Sequence, residues 1–251
     1  MRIFITGAGS GLGAALARHY GTAGATLGLL GRRPAALEET AQGLDARLYR
    51  ADVADAAAVA EAARDFVAHA GCPHIVIAAA GISVGALAEE KDDLEVFRAT
   101  LATNVLGVLH TFQPFIAPMQ AAGRGSLCGI ASVAGVRGLP GGGAYSASKA
   151  AATVYLEALR LELKQHGIAV VTVSPGYIAT PMTAVNPYPM PFKMSAATAA
   201  EKVARCIARR SAHRVIPWQM AVVAQVLKWL PVRVYDAIFE KAPRKPRGLP
   251  T

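Results

Sequence analysis

Cysteine is scarce in this sequence, and long apolar runs are absent from it. Cys72, Cys128 and Cys206 are the three cysteines among 251 residues, and none forms a CxxC pair or a metal-ligand spacing with the six histidines. We therefore expect no disulfide scaffold and no bound metal, and a reducing, cytoplasmic location. The lack of a run of 18 apolar residues argues against a transmembrane span. The short run Ile3–Ile5 ends at Thr6-Gly7 and predicts an internal strand, not a signal peptide.

Acidic residues are scarce near the C-terminus. Residues 201–251 contain eleven lysines and arginines but three acidic residues, so most of the net charge of +9 lies there. This asymmetry predicts either peripheral contact with an anionic surface, such as the inner membrane, or merely a solvated basic surface. A nucleic acid partner is not expected, because the tryptophans of this region recur at helical spacing instead of interleaving with the basic residues.

Short apolar runs alternate with longer helical patterns over residues 2–174. We predict strands at 2–6, 26–30, 47–50, 74–79, 126–131 and 168–174, and helices at 11–23, 34–42, 56–70 and 144–166. One or two more helices are expected at 92–121, broken near Pro114 and Pro118. Apolar strands separated by helices indicate βαβ units. The prediction is an α/β fold, in which residues 1–251 form a single-domain Rossmann-type doubly wound parallel sheet flanked by helices.

The chain after residue 182 has a different pattern. Residues 183–194 contain three prolines and no periodicity, which predicts a loop over a site or a plain surface excursion. With a helix predicted at 198–210, this loop makes up a substrate-loop and helix region, 183–215. Residues 216–251 form a basic amphipathic extension, in which Trp218 and Trp229 recur at helical spacing before Pro231. Such a segment is typical of an interfacial helix, and a subunit contact or a flap over a pocket are the alternatives.

A glycine-rich turn directly follows the first predicted strand. Its glycines allow the backbone to turn tightly and to approach a pyrophosphate, whose charge meets free N–H groups at the start of the next helix. Because the turn joins a strand to a helix, it predicts a dinucleotide site. The candidate residues are Thr6, Gly7, Gly9, Ser10, Gly11, Leu12 and Gly13.

Two arginines follow the second predicted strand, where such a site distinguishes a ribose hydroxyl from a 2′-phosphate. An acidic side chain accepts hydrogen bonds from the hydroxyls, whereas a guanidinium pairs with the phosphate. Arg32 and Arg33 stand there with no carboxylate nearby in the sequence. They predict NADP(H) in preference to NAD(H), and two merely exposed arginines at a helix start are the alternative.

A tyrosine and a lysine four residues apart open the long helix predicted at 144–166. This spacing places the phenol of Tyr145 and the ammonium of Lys149 on one helix face. A cation about 4 Å away would lower the phenol pKa by about 3 units, which would make Tyr145 a usable acid or base near neutral pH. Ser132 follows an apolar strand, and we expect its hydroxyl to point toward the same place.

These motifs together resemble the short-chain dehydrogenase/reductase family over residues 1 to about 182. The turn at 6–13 is similar to the family's TGxxxGxG loop, and Tyr145–Lys149 is similar to its YxxxK motif. The resemblance implies that Ser132 and Asn104 are catalytic. It also implies cofactor contacts at Asp52, Val53, Ala79, Ala80, Gly81, Tyr145, Lys149, Pro175, Gly176, Ile178 and Thr180. Residues 78–81 read AAAG where the family commonly has NNAG, so the hydrogen bonds of that asparagine are not expected.

The resemblance implies a mechanism as well as a fold. In such enzymes a nicotinamide exchanges a hydride with a carbonyl or alcohol carbon. Tyr145 would be the general acid in reduction and the general base in oxidation, and Ser132 would hydrogen-bond the substrate oxygen. Lys149 would lower the phenol pKa and hold the nicotinamide ribose, and Asn104 would anchor a water molecule. Reduction by NADPH is the expected direction, and the family implies a homodimer or homotetramer.

The candidate substrate pocket is apolar and favours a lipophilic ketone or aldehyde. Its expected lining residues are Val133, Val136, Leu139, Met182, Tyr188 and Phe192. A peripheral membrane enzyme that reduces a lipid carbonyl is one alternative. A non-catalytic NADP-binding protein is the other.

Overall fold

Nine β-strands and ten α-helices alternate along the part of the chain that the structure describes. The computed structural model describes residues 1–248. The strands are β1 (Arg2–Thr6), β2 (Thr26–Gly31), β3 (Ala46–Arg50), β4 (Ile75–Ala78), β5 (Gly125–Ile130), β6 (Ile168–Pro175), β7 (Ile178–Ala179), β8 (Met194–Ser195) and β9 (His213–Ile216). The helices are α1 (Gly11–Gly21), α2 (Pro34–Ala41), α3 (Ala56–Ala70), α4 (Asp93–Leu101), α5 (Gly107–Ala121), α6 (Gly143–Lys164), α7 (Pro181–Ala184), α8 (Ala196–Ala208), α9 (Trp218–Trp229) and α10 (Val232–Phe239).

Seven of the strands form one parallel sheet in the order β3-β2-β1-β4-β5-β6-β9. The chain winds outward from β1 to β3 and then returns to β4 beside β1, so the direction of winding reverses between β1 and β4. The predicted α/β fold with a doubly wound parallel sheet is confirmed. Such a sheet places ligands at the carboxyl ends of its strands, next to this reversal.

Both faces of the central strands are covered by helices. Ile3 and Ile5 lie in a core with α1 and α8, whereas Phe4 lies in a second core with α3, α5 and α6. All three side chains are fully buried, and burial of each stabilises the fold by about 1.5–3 kcal/mol. Burial on both faces explains why these strands read as continuous apolar runs.

The helical region between β4 and β5 differs from the prediction. The interruption is a π-helical turn at Ala102–Leu106, and α5 continues through both Pro114 and Pro118. The expected break at the prolines is therefore wrong. The carbonyl groups left without an intrahelical partner are those of His110 and Pro114. Both residues are only partly buried, so water can hydrogen-bond these groups.

The C-terminal extension begins inside the main sheet. Ile216, the first residue of the predicted extension, is the last residue of β9, which pairs with β6. Beyond it, α9 and α10 lie on either side of Pro231, and α9 confirms the helix expected from the spacing of Trp218 and Trp229. None of the helices within residues 1–248 combines the length and the apolar character needed to cross a bilayer. All three cysteines are free thiols. Within residues 1–248, no group of three or more His, Cys, Asp or Glu side chains could hold a metal ion.

Candidate active site

The glycine-rich turn lies between β1 and α1, at the carboxyl edge of the sheet. Gly7 adopts a φ of 70°, and a Cβ on it would lie 2.6 Å from the backbone of Ala80. A Cβ on Gly13 would overlap the carbonyl oxygen of Gly7. The turn is packed so closely against the end of β4 and the start of α1 that glycine is required at both positions.

The start of α1 offers free hydrogen-bond donors to an anion. Its first turn contains no acidic residue, and the Ser10 side chain makes no cap hydrogen bond to it. The backbone N–H groups and the positive end of the helix dipole are therefore available to a negative charge. These features fit the pyrophosphate of a dinucleotide.

A cavity of about 260 Å³, here called the nucleotide cavity, extends from the glycine turn along the carboxyl ends of the strands. Thr6 lies outside it: its buried hydroxyl donates to the Ile77 carbonyl at 3.5 Å and links β1 to β4. Ser132 also lines the cavity. The cavity brings together all the other residues expected to contact the cofactor, namely Gly7, Gly9, Ser10, Gly11, Leu12, Gly13, Arg32, Arg33, Asp52, Val53, Ala79, Ala80, Gly81, Tyr145, Lys149, Pro175, Gly176, Ile178 and Thr180.

Arg32 and Arg33 reach the nucleotide cavity from the end of β2. Although no carboxylate lies near them in the sequence, Asp52 Oδ2 is 3.7 Å from Arg32 Nη1. Asp52 follows β3, and β3 pairs with β2, so the sheet brings together residues that are 20 positions apart. Within residues 1–248, Arg33 forms no ion pair. Arg33 is thus the one of the two arginines that has no carboxylate partner within residues 1–248 to compete with a ligand.

Tyr145 and Lys149 both lie near the start of α6, with Lys149 buried and Tyr145 partly buried. The Lys149 ammonium donates to the Ile130 carbonyl at 2.8 Å and lies 5.8 Å from the centre of the Tyr145 ring. Burial raises the pKa of Tyr145, and interaction with the Ser132 side chain opposes part of that rise. Burial also lowers the pKa of Lys149 to about 8.

The prediction that Lys149 lowers the pKa of Tyr145 is therefore wrong, because burial raises that pKa. The ammonium is directed at a backbone carbonyl instead of the phenol. A phenolate in this buried position loses hydration, and the Lys149 ammonium, 5.8 Å from the ring centre, is hydrogen-bonded to the Ile130 carbonyl and not to the phenol oxygen. The phenol consequently remains protonated near neutral pH, which suits a proton donor.

Asn104 lies in the π-helical turn and is fully buried. Its amide accepts from the Ile82 N–H at 2.8 Å and donates to the Ile82 carbonyl at 2.9 Å and to Ser148 Oγ at 2.9 Å. These bonds join the segment after β4 to α6. Asn104 is not among the residues that line the nucleotide cavity, although a Cβ on Gly81, which does line it, would lie 3.2 Å from Asn104 Oδ1.

A second cavity, of about 460 Å³ and here called the apolar cavity, adjoins the first. Ser132 and Tyr145 line both. Of the expected pocket residues, the apolar cavity brings together Val133, Leu139, Met182 and Tyr188. Two others do not line it. Val136 packs instead in a small core beside Met220, and Phe192 is 49% exposed.

Part of the apolar cavity wall is formed by residues that were not predicted as site residues. They come from the C-terminal extension and from the segment after β4, which the sequence analysis left without a role. The helical spacing of the extension indicated an apolar face, and a flap over a pocket was one of its three interpretations. The additional residues include Ser83, Val84, Met220, Val223, Leu227, Phe239 and Lys245.

The fold and the glycine turn define a Rossmann-type dinucleotide-binding protein. A family model described as short chain dehydrogenase matches residues 1–188. The chain therefore belongs to the short-chain dehydrogenase family, whose members bind a nicotinamide cofactor.

Two curated relatives and one solved structure place the chain among proteins of this family. A Myxococcus xanthus (strain DK1622) protein described as an uncharacterized oxidoreductase is 37% identical over 238 residues, which cover 93% of this chain and 94% of that protein. Galactitol 2-dehydrogenase (L-tagatose-forming) of Cereibacter sphaeroides is 37% identical over 185 residues, covering 71% of this chain and 72% of that enzyme. The crystal structure of a 3-ketoacyl-ACP reductase from Sinorhizobium meliloti 1021 matches with a TM-score of 0.78 and 29% identity, covering 89% of this chain and 100% of that one.

Proposed function

We propose that the protein reduces a lipophilic ketone or aldehyde with NADPH, and that Tyr145 donates the proton. The observation that carries this proposal is that Ser132 and Tyr145 line both cavities. A carbonyl group in the apolar cavity can thereby meet both hydroxyl groups at the boundary with the nucleotide cavity. NADPH, when bound, supplies the hydride.

The residues at this boundary have separate roles in the proposed reaction. Ser132 hydrogen-bonds the carbonyl oxygen and Tyr145 gives it a proton. Lys149, anchored on the Ile130 carbonyl at 2.8 Å, holds the nicotinamide ribose. Asn104 positions the segment that follows β4 and anchors a water molecule near Lys149. Burial raises the pKa of Tyr145, so the phenol carries its proton at neutral pH and can give it to the carbonyl oxygen, while the same shift makes it a weaker acid.

The preference for NADPH is proposed on the two arginines at the end of β2. Arg33 has no carboxylate partner within residues 1–248, whereas Arg32 Nη1 lies 3.7 Å from Asp52 Oδ2 in an ion pair. A guanidinium there pairs with a 2′-phosphate. We expect Arg33→Ala to lower kcat/KM with NADPH by about tenfold and to leave NADH unaffected, since one charge-assisted pair is lost. Arg64→Ala, on the exposed side of α3, is the control.

The experiment that tests the proposed function is a spectrophotometric screen of aldehydes, ketones and 3-oxoacyl compounds, run with NADPH and NADH in parallel. The expected result is turnover of apolar carbonyl compounds with a preference for NADPH. Equal efficiency with NADH would contradict the role of the arginines. A lack of turnover with every carbonyl compound, in a protein that still binds NADPH, would favour the non-catalytic alternative.

A second candidate function is reduction of a lipid carbonyl at a membrane surface. Trp218 and Trp229 of α9 are 70% and 77% exposed, and Val222 and Val226 between them are exposed as well. The opposite face of the same helix lines the apolar cavity, so a bilayer against the exposed face would lie close to the site. Lys228 is the one cation of α9, and it lies next to Trp229. Apolar and basic side chains together are typical of interfacial helices.

Flotation with vesicles tests the membrane candidate. We expect the protein to float with vesicles that contain phosphatidylserine and less with neutral vesicles, because both apolar contact and charge contribute. The double variant Trp218→Gln, Trp229→Gln should lose flotation but keep its activity on a water-soluble carbonyl compound. Equal recovery of the variant and the wild type would contradict membrane contact.

We also propose a homo-oligomer, whose subunit contact lies on a surface other than the exposed face of α9. Exposed apolar side chains occur on α4, at Leu94 and Phe97, and on α6, at Val154 and Leu161. These two helices pack against each other, so a second copy could cover both. Light scattering during gel filtration should show a dimer or tetramer, and a monomer at micromolar concentration would contradict this part of the proposal.

A further inference from the structure

The segment after α10 returns to the apolar cavity and forms part of its wall. The Gly85 N–H donates to the Pro246 carbonyl at 2.9 Å, and Gly85 pairs with Arg247 as a parallel bridge. A Cβ on Gly85 would overlap the Lys245 carbonyl oxygen. The tail, residues 243–248, is therefore in direct backbone contact with the segment that follows β4.

An ion pair fixes the tail at its far end. Arg247 Nε donates to Asp93 Oδ2 at 2.8 Å, and Arg247 Nη1 lies 3.1 Å from Glu90 Oε1. Asp93 is buried and also accepts from the Leu87 N–H at 2.8 Å. These bonds hold the residue two positions earlier, Lys245, against the body of the protein.

Lys245 is directed into the apolar cavity instead of into solvent. Its ammonium donates to Ser83 Oγ at 3.0 Å and to the Met182 carbonyl at 3.1 Å. Both of these residues line the cavity together with Lys245. Since an ammonium has three N–H donors, one donor remains for a ligand. Ser83 Oγ accepts from Lys245 and so keeps its own proton to donate.

The charge of Lys245 has no counter-ion among the residues that the structure describes. Within residues 1–248, no carboxylate lies within ion-pair distance of it. Burial lowers the pKa of Lys245 to about 8, so the group remains mostly charged at neutral pH. A partly buried charge without a partner is costly unless a ligand supplies the opposite charge.

The other cation that lines the cavity is already engaged. Arg137 donates to the Leu227 carbonyl at 3.1 Å and to the Leu230 carbonyl at 3.0 Å, at the end of α9. Its guanidinium also lies 4.2 Å from the centre of the Tyr235 ring. Arg137 thus holds α9 and α10 in place, whereas Lys245 has unused binding capacity.

We propose that Lys245 is a specificity-determining residue, and that it binds, with Ser83, a carboxylate at the end of an apolar substrate. This inference rests on the proposed function for the reacting carbonyl, and it names the class of substrate as an oxo acid with an apolar chain. The rest of the cavity wall accommodates the chain, and Ser132 and Tyr145 take the carbonyl.

Binding of an unreactive fatty acid tests this inference without turnover. Octanoate and its neutral analogue octanamide would be titrated calorimetrically into the wild type, Lys245→Met and Lys245→Arg, with Lys241→Met as an exposed control from the same part of the chain. Lys245→Met should bind octanoate about 10- to 100-fold more weakly, which is the effect of losing a hydrogen bond to a charged group. Octanamide affinity should change by less than about twofold, and Lys245→Arg should restore most of the octanoate affinity because it keeps the charge.

Three results would overturn the inference. They are the absence of octanoate binding to the wild type, equal octanoate affinity in the wild type and Lys245→Met, and a parallel loss of octanamide binding. The last result would show that Lys245 only supports the cavity wall. A protein that binds octanoate through Lys245 but reduces no carbonyl compound would keep the inference about the anion and contradict the proposed function. The two failures can therefore be told apart.

Discussion

The nucleotide cavity and the apolar cavity meet at Ser132 and Tyr145, yet they are built in different ways. The nucleotide cavity depends on backbone: a Cβ on Gly7 or Gly13 would collide with neighbouring main-chain atoms. The apolar cavity depends on side chains from segments far apart in the chain, including Val133, Leu227 and Lys245. The first is fixed by local geometry, whereas the second exists only after α9, α10 and the tail have packed against the sheet.

Among changes away from the proton donor, the largest expected effect concerns the backbone of the nucleotide cavity. Gly13→Ala places a methyl group onto the Gly7 carbonyl oxygen and forces the turn to move. We expect NADPH affinity to fall by about 100-fold or more, since the N–H groups of the turn lose their alignment. Gly138→Ala is the matched control, because a Cβ there meets nothing within 4 Å. Fluorescence titration with NADPH measures both, and equal affinities would contradict the geometric account.

A second effect concerns the energetic cost of the buried lysine at the boundary. The pKa of Lys149 falls from 10.5 to about 8 on burial, so the unfolded chain binds more protons between those pH values, and stability rises with pH across that window. At pH 7 the charge costs about 3 kcal/mol. Lys149→Met should therefore unfold with a free energy about 2 kcal/mol higher at pH 7, after allowing for the lost bond to Ile130.

The difference between wild type and Lys149→Met should shrink as the pH rises from 8 toward 10. Denaturant unfolding at several pH values measures it, with Lys164→Met, an exposed change on the same helix, as the control. A wild type more stable than Lys149→Met at pH 7 would contradict the energetic cost assigned to the buried charge.

A third effect separates the true wall of the apolar cavity from the expected one. Leu227 lines the cavity, whereas Phe192 is exposed outside it. Leu227→Ala should lower kcat/KM for an apolar ketone by about tenfold. The substrate loses a hydrophobic contact equivalent to about two buried CH₂ groups. Phe192→Ala should leave it unchanged. A loss of activity in Phe192→Ala, with none in Leu227→Ala, would support the expectation from the sequence that Phe192 lines the pocket.

The sequence could predict the nucleotide cavity because its residues are contiguous or follow successive strands. The turn at residues 6–13 and the pair at 145 and 149 can each be identified from the spacing of their residues along the chain. Parallel strands then bring their carboxyl ends together. The wall from α9 and the tail could not be predicted, because apolar spacing gives a helix face but not what that face packs against. Asp52 was not placed beside Arg32 because no strand order was assigned, and it is the pairing of β2 with β3 that makes them neighbours. The continuity of α5 was missed because the local preference of Pro114 to end a helix is overridden in the folded protein.

The smallest expected effect concerns the ion pair of the tail. Arg247→Gln removes the contacts with Asp93 and Glu90, while the backbone bond from Gly85 to Pro246 remains. We expect KM for the carbonyl substrate to rise about threefold, with the affinity for NADPH unchanged, because Lys245 is held less firmly. Arg98→Gln, which breaks an exposed pair with Glu95 on α4, should change neither value. If Arg247→Gln weakened NADPH binding by a similar factor, the structure of the nucleotide cavity would depend on the tail as well.

The most direct test of the central claim is a single-turnover measurement on Tyr145→Phe. NADPH oxidation would be followed after mixing the NADPH-saturated protein with the best substrate of the screen. We predict that NADPH binds as tightly as in the wild type and that hydride transfer slows by about 10²- to 10⁴-fold, the contribution of one acid–base group. An unchanged rate of hydride transfer in Tyr145→Phe would contradict the placement of the proton donor between the two cavities.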